Sequence, residues 1–517
     1  MDNAGSKYSI SIDTGGTFTD LIALDNKGNS YRKKILSNGT IRGSVAKWLD
    51  DKTLQVNESW GLTKDIFAGF KFRLFTEKHP LIHVVSFDIE NKILRLDDPV
   101  ERSFQKEGIA FELSAGEEAP VLAVRMITGT ALNNRFPEIQ MRLGSTKGTN
   151  ALLERKGAPS VLFITKGFGD LLEIGTQQRP DIFSLIIQKK KSLPELTVEV
   201  DERIDADGEI IKPLDTEIYR QQILKLVKQG IESAAVVFLN GYKNPVHEKQ
   251  FGDLLKKLGI KYVSVSHELS PLIKLLERAE TTTVNAYLSP VIQEYIANIT
   301  NAVNHDFLVM NSAGGLVRSD SFHPKDSLLS GPAGGVVGAS SVARQSGHNN
   351  IITFDMGGTS TDVSRYSGNF DYKYELEIGD ALVKSPAIAI ETVAAGGGSV
   401  CGYDGFRLTV GPESAGADPG PACYGSGGPL TITDVNLMLG RMDVSSFGIP
   451  VDPGESSKKL DELLDEIHKR TGKKPKREQV LTGFLDIADE IMAGAIRKIS
   501  TAKGFNPSDY VMVAFGG

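Results

Sequence analysis

Two stretches of the chain repeat one pattern, an apolar strand, a hydroxyl-rich glycine turn and a second strand. The first is SISIDTGGTFTDLIAL over residues 9–24 and the second is IITFDMGGTSTDVSRY over residues 351–366. Aligned, Asp13/Asp355, Gly15/Gly357, Gly16/Gly358, Thr17/Thr359, Thr19/Thr361 and Asp20/Asp362 are identical, so the chain holds two related halves. Between the copies, the periodicity predicts an amphipathic helix over 40–49, strands over 71–75, 81–87 and 92–96, and a helix over 119–127. These lie mostly within a small β-rich insert at about 53–143. A polar turn at 144–150 opens a helix, and 160–165 is a strand. A charged, Gly-containing stretch at 201–208 marks a domain boundary.

From there helix and strand alternate: helix 216–228, strand 233–239, helix 247–258, strand 262–265, a helix from about 277 to 303, and strand 306–310 ending at Asn311-Ser-Ala-Gly-Gly315. Such alternation indicates an α/β fold. Ser330-Gly-Pro-Ala-Gly-Gly335 opens a further helix, and a third glycine turn, Gly396-Gly397-Gly398, follows a strand. Residues 410–425 read as a rigid loop, 479–503 as a helix, and 510–517 as a strand with its glycine turn.

The repeated turn suits phosphate. Paired glycines let the backbone approach an anion and permit positive φ, so N–H groups can point at phosphate oxygens, with Thr14, Thr17, Thr19, Thr359 and Thr361 adding donors. Each bond to a charged oxygen contributes roughly 1.5–3 kcal/mol. Asp13 and Asp355, at the strand ends, are placed to hold the water shell of a Mg²⁺ ion bridging phosphates, since Mg²⁺ keeps most of its waters and takes one or two carboxylates. Each turn leads into a strand, which excludes both a Walker A loop and a dinucleotide fingerprint, because those open helices. A plain hairpin turn explains one copy as well as a phosphate clasp does; two matched copies favour the clasp.

Other candidates leave alternatives open. The turn before the 144–150 helix start is an anion site or an ordinary N-cap by Ser145 or Thr146. Arg179 can fork onto a carboxylate or sit on the surface. The small residues at 330–335 allow nucleotide contact or close helix packing. His79 and His83 have helical metal-ligand spacing, but Pro80 between them argues against zinc.

At 517 residues the chain has room for two or more domains. Its net charge of −7 argues against a nucleic-acid partner. Cys401 and Cys423 form no C-x-x-C pair, which removes structural zinc and a disulfide framework. No basic, apolar leader opens the chain and no apolar run reaches membrane length, so a cytoplasmic protein without membrane contact is expected.

Strand, phosphate turn and strand used twice resembles the actin, sugar kinase and heat-shock chaperone superfamily, in which two such hairpins grip a nucleotide from either side. The segments IDTGGTFTD, GTNALLERKGA, TKGFGDLLEIGTQQRPDIF, SGPAGGVVGA, FDMGGTSTDVSRY, TVAAGGGS, VGPESAGADPGPACYG and TDVNLMLGR further resemble the hydantoinase A and 5-oxoprolinase family, nearest its ATP-hydrolysing 5-oxoprolinases. The resemblance implies an actin-like duplicated ATPase fold with an N-terminal-type domain over 1–200 and an ATPase domain over 201–517, the latter cut short at its C-terminal end. It implies ATP-dependent opening of 5-oxo-L-proline to L-glutamate with Mg²⁺ and K⁺, in an oligomer with a hydantoinase B-type partner. Phosphoryl transfer to the lactam oxygen turns that oxygen into a leaving group, and the protein supplies positioning and charge neutralisation.

On that basis Asp13, Thr17, Asp355 and Thr359 serve phosphate and metal, with the other clasp residues lining the nucleotide. Gly314 and Gly315 fall in the nucleotide region, and Gly396 to Gly398 form its far wall. Asn150, Arg179 and Arg278 face the substrate. Hydantoin, another lactam or a ketone for carboxylation are alternative substrates, and a nucleotide-binding regulatory or assembly subunit without turnover is a reading of another class.

Overall fold

The strand Tyr8–Thr14 carries a period-two pattern that buries Ile10 and Ile12, and it sits in the middle of a sheet. A computed structural model describes residues 8–75, 82–178, 183–186, 189, 191–416, 419–444 and 451–516. It divides into two compact units, Met1–Gly331 with Lys373–Ala387, and Pro332–Tyr372 with Ile388–Gly517.

In the first unit Tyr8–Thr14 pairs antiparallel with Phe18–Asp25, Asp13 opposite Asp20, and parallel with Ile139–Ser145, Asp13 beside Gly144. Ser30–Leu36 extends the sheet on one side, Leu308–Met310 and Leu316–Arg318 on the other. The helix Ala119–Thr128, as its sequence predicts, covers this sheet with a nearly continuous buried surface.

Residues 40–49 are not a helix. Thr40–Trp48 is a strand that closes a six-stranded barrel with Thr53–Val56, Ile93–Leu96, Ile82–Asp88, Lys71–Leu74 and Ala110–Ser114. Ile41, Gly43 and Val45 alternate inward, a period of two that a short window confuses with a helical stripe. Gly43 is there because a Cβ would come within 2.5 Å of Phe111 and 2.8 Å of Trp60. Phe67, Phe70, Phe72 and Phe111 fill the interior without exposure. His79 lies outside the described residues, and His83 pairs with Asp97 at 3.4 Å on the surface.

A second sheet in this unit is wholly parallel: Leu196–Val200, Ser160–Thr165, Ser233–Val237 and Tyr262–Val265. Its two central strands, Ser160–Thr165 and Ser233–Val237, are buried on both faces, because both are covered. Phe163 and Val161 join the core with helices Arg220–Lys228 and Val246–Lys257, whereas Leu162 and Ile164 pack with residues of the long helix Leu275–Val303. Among the described residues no helix is long and apolar enough to cross a membrane.

The second unit repeats the hairpin arrangement. Asn350–Met356 pairs antiparallel with Thr361–Ser367, Asp355 opposite Asp362, and parallel with Val511–Gly516. Ile390–Val393 lies at the other edge. The rigid loop expected at 410–425 begins instead as a strand, Leu408–Ser414, paired with Ser399–Tyr403, since the backbone groups before Ala415 find ladder partners. Helix Arg477–Ile499 matches its expectation, while Pro453–Thr471 is a further helix, capped by the Asp452 carboxylate accepting from the Gly454 N–H at 2.7 Å.

Candidate functional site

Both glycine turns close with the same bond: the Gly15 N–H donates to the Phe18 carbonyl (3.0 Å), and the Gly357 N–H to the Ser360 carbonyl (2.9 Å). None of Gly15, Gly16, Gly357 and Gly358 adopts positive φ, contrary to the conformational argument from sequence. Their use is room. A Cβ on Gly16 would stand 3.2 Å from the Asn150 amide nitrogen, and one on Gly358 would meet nothing within 4 Å.

Around the first turn, Thr14 is buried. Its hydroxyl accepts from the Tyr295 hydroxyl (3.2 Å) and its carbonyl from the Thr146 N–H (2.9 Å), which fastens the start of helix Lys147–Leu153 to the clasp. Thr14, Gly15, Gly16, Lys147, Asn150 and Tyr295 line a pocket of about 310 Å³. Lys147 brings a cation to this pocket: its ammonium lies 4.2 Å from the Tyr295 ring centroid and 3.3 Å from Glu118. Burial pushes the Tyr295 hydroxyl far above its ordinary pKa, so it remains a neutral donor. Thr17 is exposed, whereas Thr19 is fully buried with its hydroxyl 3.0 Å from Ser37 and ties the hairpin to the adjoining strand.

Asp13 is set by its neighbour strand. A Cβ at Gly144 would lie 3.2 Å from its carboxylate, so glycine keeps the carboxylate room. The surrounding protein, and then the Asp20 charge across the hairpin, raise the pKa of Asp13. No ion pair to Asp13 occurs among the described residues. Neither does any cluster of three or more His, Cys, Asp or Glu side chains able to cage a metal. A lone carboxylate lacking a cation fits Mg²⁺ that brings its own waters.

The second hairpin shows the same device. A Cβ at Gly516, whose φ is 88°, would overlap the Asp355 carboxylate. Thr361, like Thr19, is buried, and its hydroxyl donates to the Ala395 carbonyl at 2.6 Å. The Thr359 hydroxyl stands 3.5 Å from that of Ser414. The third glycine turn is laid directly on this clasp, as the Gly397 and Gly398 N–H groups donate to the Gly357 and Gly358 carbonyls at 3.1 and 2.6 Å. A Cβ on Gly396 would come 2.6 Å from the Gly357 carbonyl oxygen. Gly396→Ala is therefore expected to destabilise the second unit by about 1–3 kcal/mol, while Gly358→Ala, with open space, is neutral; urea midpoints of the two variants check this.

Other expected site residues lie elsewhere. Gly314 and Gly315 form the tight turn between Leu308–Met310 and Leu316–Arg318, where the Asn311 side chain accepts from the Gly315 N–H at 2.9 Å; neither lines the clasp pocket. Arg278, expected to face the substrate, is completely buried. Its guanidinium donates to Ser266 (2.6 Å) and the Phe238 carbonyl (2.8 Å), 3.6 Å from Glu248. Arg179 lies outside the described residues. Sequence reasoning passed over Gly144, Lys147 and Tyr295. Lysine in a first helical turn and tyrosine in a long helix carry no local signal, and Tyr295 meets Thr14 across 281 residues.

An α/β chain carrying two such hairpins falls into a known group. Family models described as the hydantoinase/oxoprolinase N-terminal region and hydantoinase/oxoprolinase match residues 98–259 and 278–517. The chain belongs to the hydantoinase/oxoprolinase family. It is 41% identical to a 5-oxoprolinase of Dictyostelium discoideum over 432 residues, 73% of this chain and 34% of that protein. It is 31% identical to caprolactamase subunit alpha of Pseudomonas jessenii over 395 residues, 72% of this chain and 56% of that one. The crystal structure of the ATP-dependent caprolactamase from that organism superposes with a TM-score of 0.71 at 26% identity, covering 98% of this chain and 65% of its own. The chain spans about a third of the length of the 5-oxoprolinase.

Proposed function

We propose that this chain is the ATP-using part of a cyclic amidohydrolase that opens 5-oxo-L-proline to L-glutamate. The observation that carries the reading is the repeated Asp-x-Gly-Gly-Thr hairpin, each aspartate given room by a glycine of the parallel strand next to it. The 5-oxoprolinase relative supports the substrate. The whole reads as an actin-like duplicated ATPase, with a B-type hydantoinase subunit or domain as partner, in an oligomer in the cytoplasm.

An unstrained amide resists water. Its carbonyl oxygen takes the γ-phosphoryl group of ATP, the bond to the ADP oxygen breaks, and the activated ring carbon accepts water. The C–N bond then breaks with protonation of nitrogen, and a second water releases phosphate. Bound Mg²⁺ supplies charge neutralisation on the phosphates. In each hairpin the aspartate, Asp13 in the first and Asp355 in the second, is the residue that would hold the water shell of the metal, the turn N–H groups with Thr17 or Thr359 would bind phosphate oxygens, and Lys147 would add a cation at the first clasp. Asn150 and Arg179 are assigned to substrate, and the turn at Gly396–Gly398, laid on the second clasp, to nucleotide.

A larger lactam is the second reading, favoured by the likeness to caprolactamase subunit alpha. Phosphate release is measured with the B-type partner present and with 5-oxo-L-proline, ε-caprolactam or hydantoin. Stimulation by 5-oxo-L-proline is expected; ATP binding with no lactam-stimulated release would leave only a regulatory role.

A further inference from the structure

The two hairpins match residue for residue, yet one face of each meets a different environment. Ser9, Ser11, Ile22 and Leu24 in the first unit occupy the positions of Ile351, Thr353, Ser364 and Tyr366 in the second, and the strand pairing sets each four on one face of its sheet. Ile351, Thr353, Ser364 and Tyr366 are between 0 and 5% exposed. Ile22 and Leu24 each leave 47% of their surface in solvent, and Phe18, on the same face, leaves 46%.

A helix accounts for the difference. In the second unit Ser330–Gln345 lies over this face: Ala343 packs with Ile351 and Tyr366, and Ala333 and Val336 pack with Ile390, the strand neighbour of Ser364. Helix Arg477–Ile499 covers the opposite face, setting Ala495 and Ile499 on Ile352 and Val363. In the first unit Ala119–Thr128 plays that second part, sharing one core with Ile10, Ile12, Leu21 and Ala23. Among the described residues nothing plays the first part, and the apolar stripe of Phe18, Ile22 and Leu24 stays open.

Charge on the open face narrows what fits it. Arg32 stands opposite Ile22 on the next strand, and Arg142 stands beside Ser11 and donates to the Ser9 hydroxyl at 3.0 Å. Among the described residues neither guanidinium meets a carboxylate. An occupant must therefore bring an apolar stripe and acidic side chains flanking it. It also needs a small residue where it passes the aspartate, because in the second unit a Cβ on Gly335 would stand 3.8 Å from the Asp355 carboxylate.

We propose that the face carrying Phe18, Ile22 and Leu24 seats an amphipathic helix with an acidic flank, the counterpart of Ser330–Gln345. Its source is the polypeptide that longer family members carry outside the shared fold: the likeness to the caprolactamase structure takes in 98% of this chain but 65% of that one, which leaves that enzyme chain to lay on the face. The surface is a docking site whichever substrate the clasps serve.

The test is thiol labelling. Cys401 and Cys423 are buried, so Ile22→Cys puts the reactive thiol on the face in question. In the 517-residue chain this thiol is expected to take maleimide completely, and Leu24→Glu is expected to leave the melting temperature unmoved. In the assembled caprolactamase a cysteine at the position equivalent to Ile22 is expected to lose that labelling, with a helix from outside the matched 65% above it in the crystal structure of that enzyme. Full labelling there overturns the proposal, as does cover by another subunit, by a second copy, or by the matched part of the chain. Slow labelling of the 517-residue chain, or a lowered melting temperature in Leu24→Glu, overturns it too, since either means that the face is already packed. Labelling that falls as the concentration of the 517-residue chain rises gives the face to a second copy and overturns the assigned occupant.

Discussion

Asp13→Asn is expected to cut lactam-stimulated phosphate release by about 10²–10³-fold and at the same time to stabilise the unliganded chain. The two effects have one cause. Asp13 has a raised pKa because the protein desolvates it and Asp20 faces it across the hairpin. A carboxyl group whose folded pKa exceeds its unfolded value favours the fold at pH below the unfolded pKa, and that contribution is lost as pH rises through the folded pKa. Near neutral pH the charge is thus a burden on the free protein, which under the proposed function a bound Mg²⁺ would relieve. Asparagine would remove the burden and, with it, the proposed hold on the metal. Thermal melts without ligand should move upward and melts with Mg²⁺-ATP should lose their ligand-induced rise. Turnover of the unmodified chain should also fall on acidification at a higher pH than an ordinary carboxylate would give, because Asp13 takes up its proton earlier. Full turnover in the variant would remove Asp13 from the phosphate site.

Arg278→Ala is expected to destabilise the first unit by about 3–5 kcal/mol, the cost of leaving a buried charge without its partner. Glu248 is wholly buried and accepts from the Phe238 N–H (2.8 Å), the Ser266 hydroxyl (2.6 Å) and the His267 N–H (2.9 Å), with the His267 ring nitrogen at 2.7 Å. The Arg278 guanidinium is the neighbouring positive charge, 3.6 Å away, and burial lowers its pKa while Glu248 opposes that shift. These groups sit where the strands Ser233–Val237 and Tyr262–Val265 end, so their loss loosens the parallel sheet at its carboxyl edge. Urea unfolding of Arg278→Ala beside the double variant Glu248→Gln, Arg278→Met separates the cases. The double variant should recover much of the loss, and equal loss in both would remove the ion pair as the cause.

The hairpins were legible because everything that makes them is local. Alternating apolar residues, paired glycines and an aspartate at each strand end lie within about a dozen positions. Helix Ala119–Thr128 and the parallel strands Ser160–Thr165, Ser233–Val237 and Tyr262–Val265 were legible for the same reason, since a continuous apolar run between turn residues states its own burial, whereas Leu196–Val200, with Thr197 and Glu199 in its run, was not. The strand Thr40–Trp48 was not. Its inward set, Ile41, Gly43 and Val45, includes a glycine whose purpose is to admit Phe111 and Trp60, and that purpose exists only once the barrel has closed.

Arg278 marks the same boundary. An arginine beside Ala279, Glu280 and three threonines carries the local mark of a polar helix start, and its place facing substrate came from the family resemblance alone. Its actual position depends on Glu248 in the helix Val246–Lys257 and on Ser266, the first residue after the strand Tyr262–Val265. What the chain's sequence alone determined is the duplicated glycine hairpin and the α/β class, because hydrogen-bonded turns and apolar periodicity are short-range. Only the tertiary structure decided that Gly144 and Gly516 make room for the two aspartates, that Lys147 and Tyr295 join the first clasp, and that Ile22 and Leu24 lie open where Ser364 and Tyr366 are covered. Each of those depends on which distant backbone comes within a few ångströms, and close packing in three dimensions sets that distance where spacing along the chain does not.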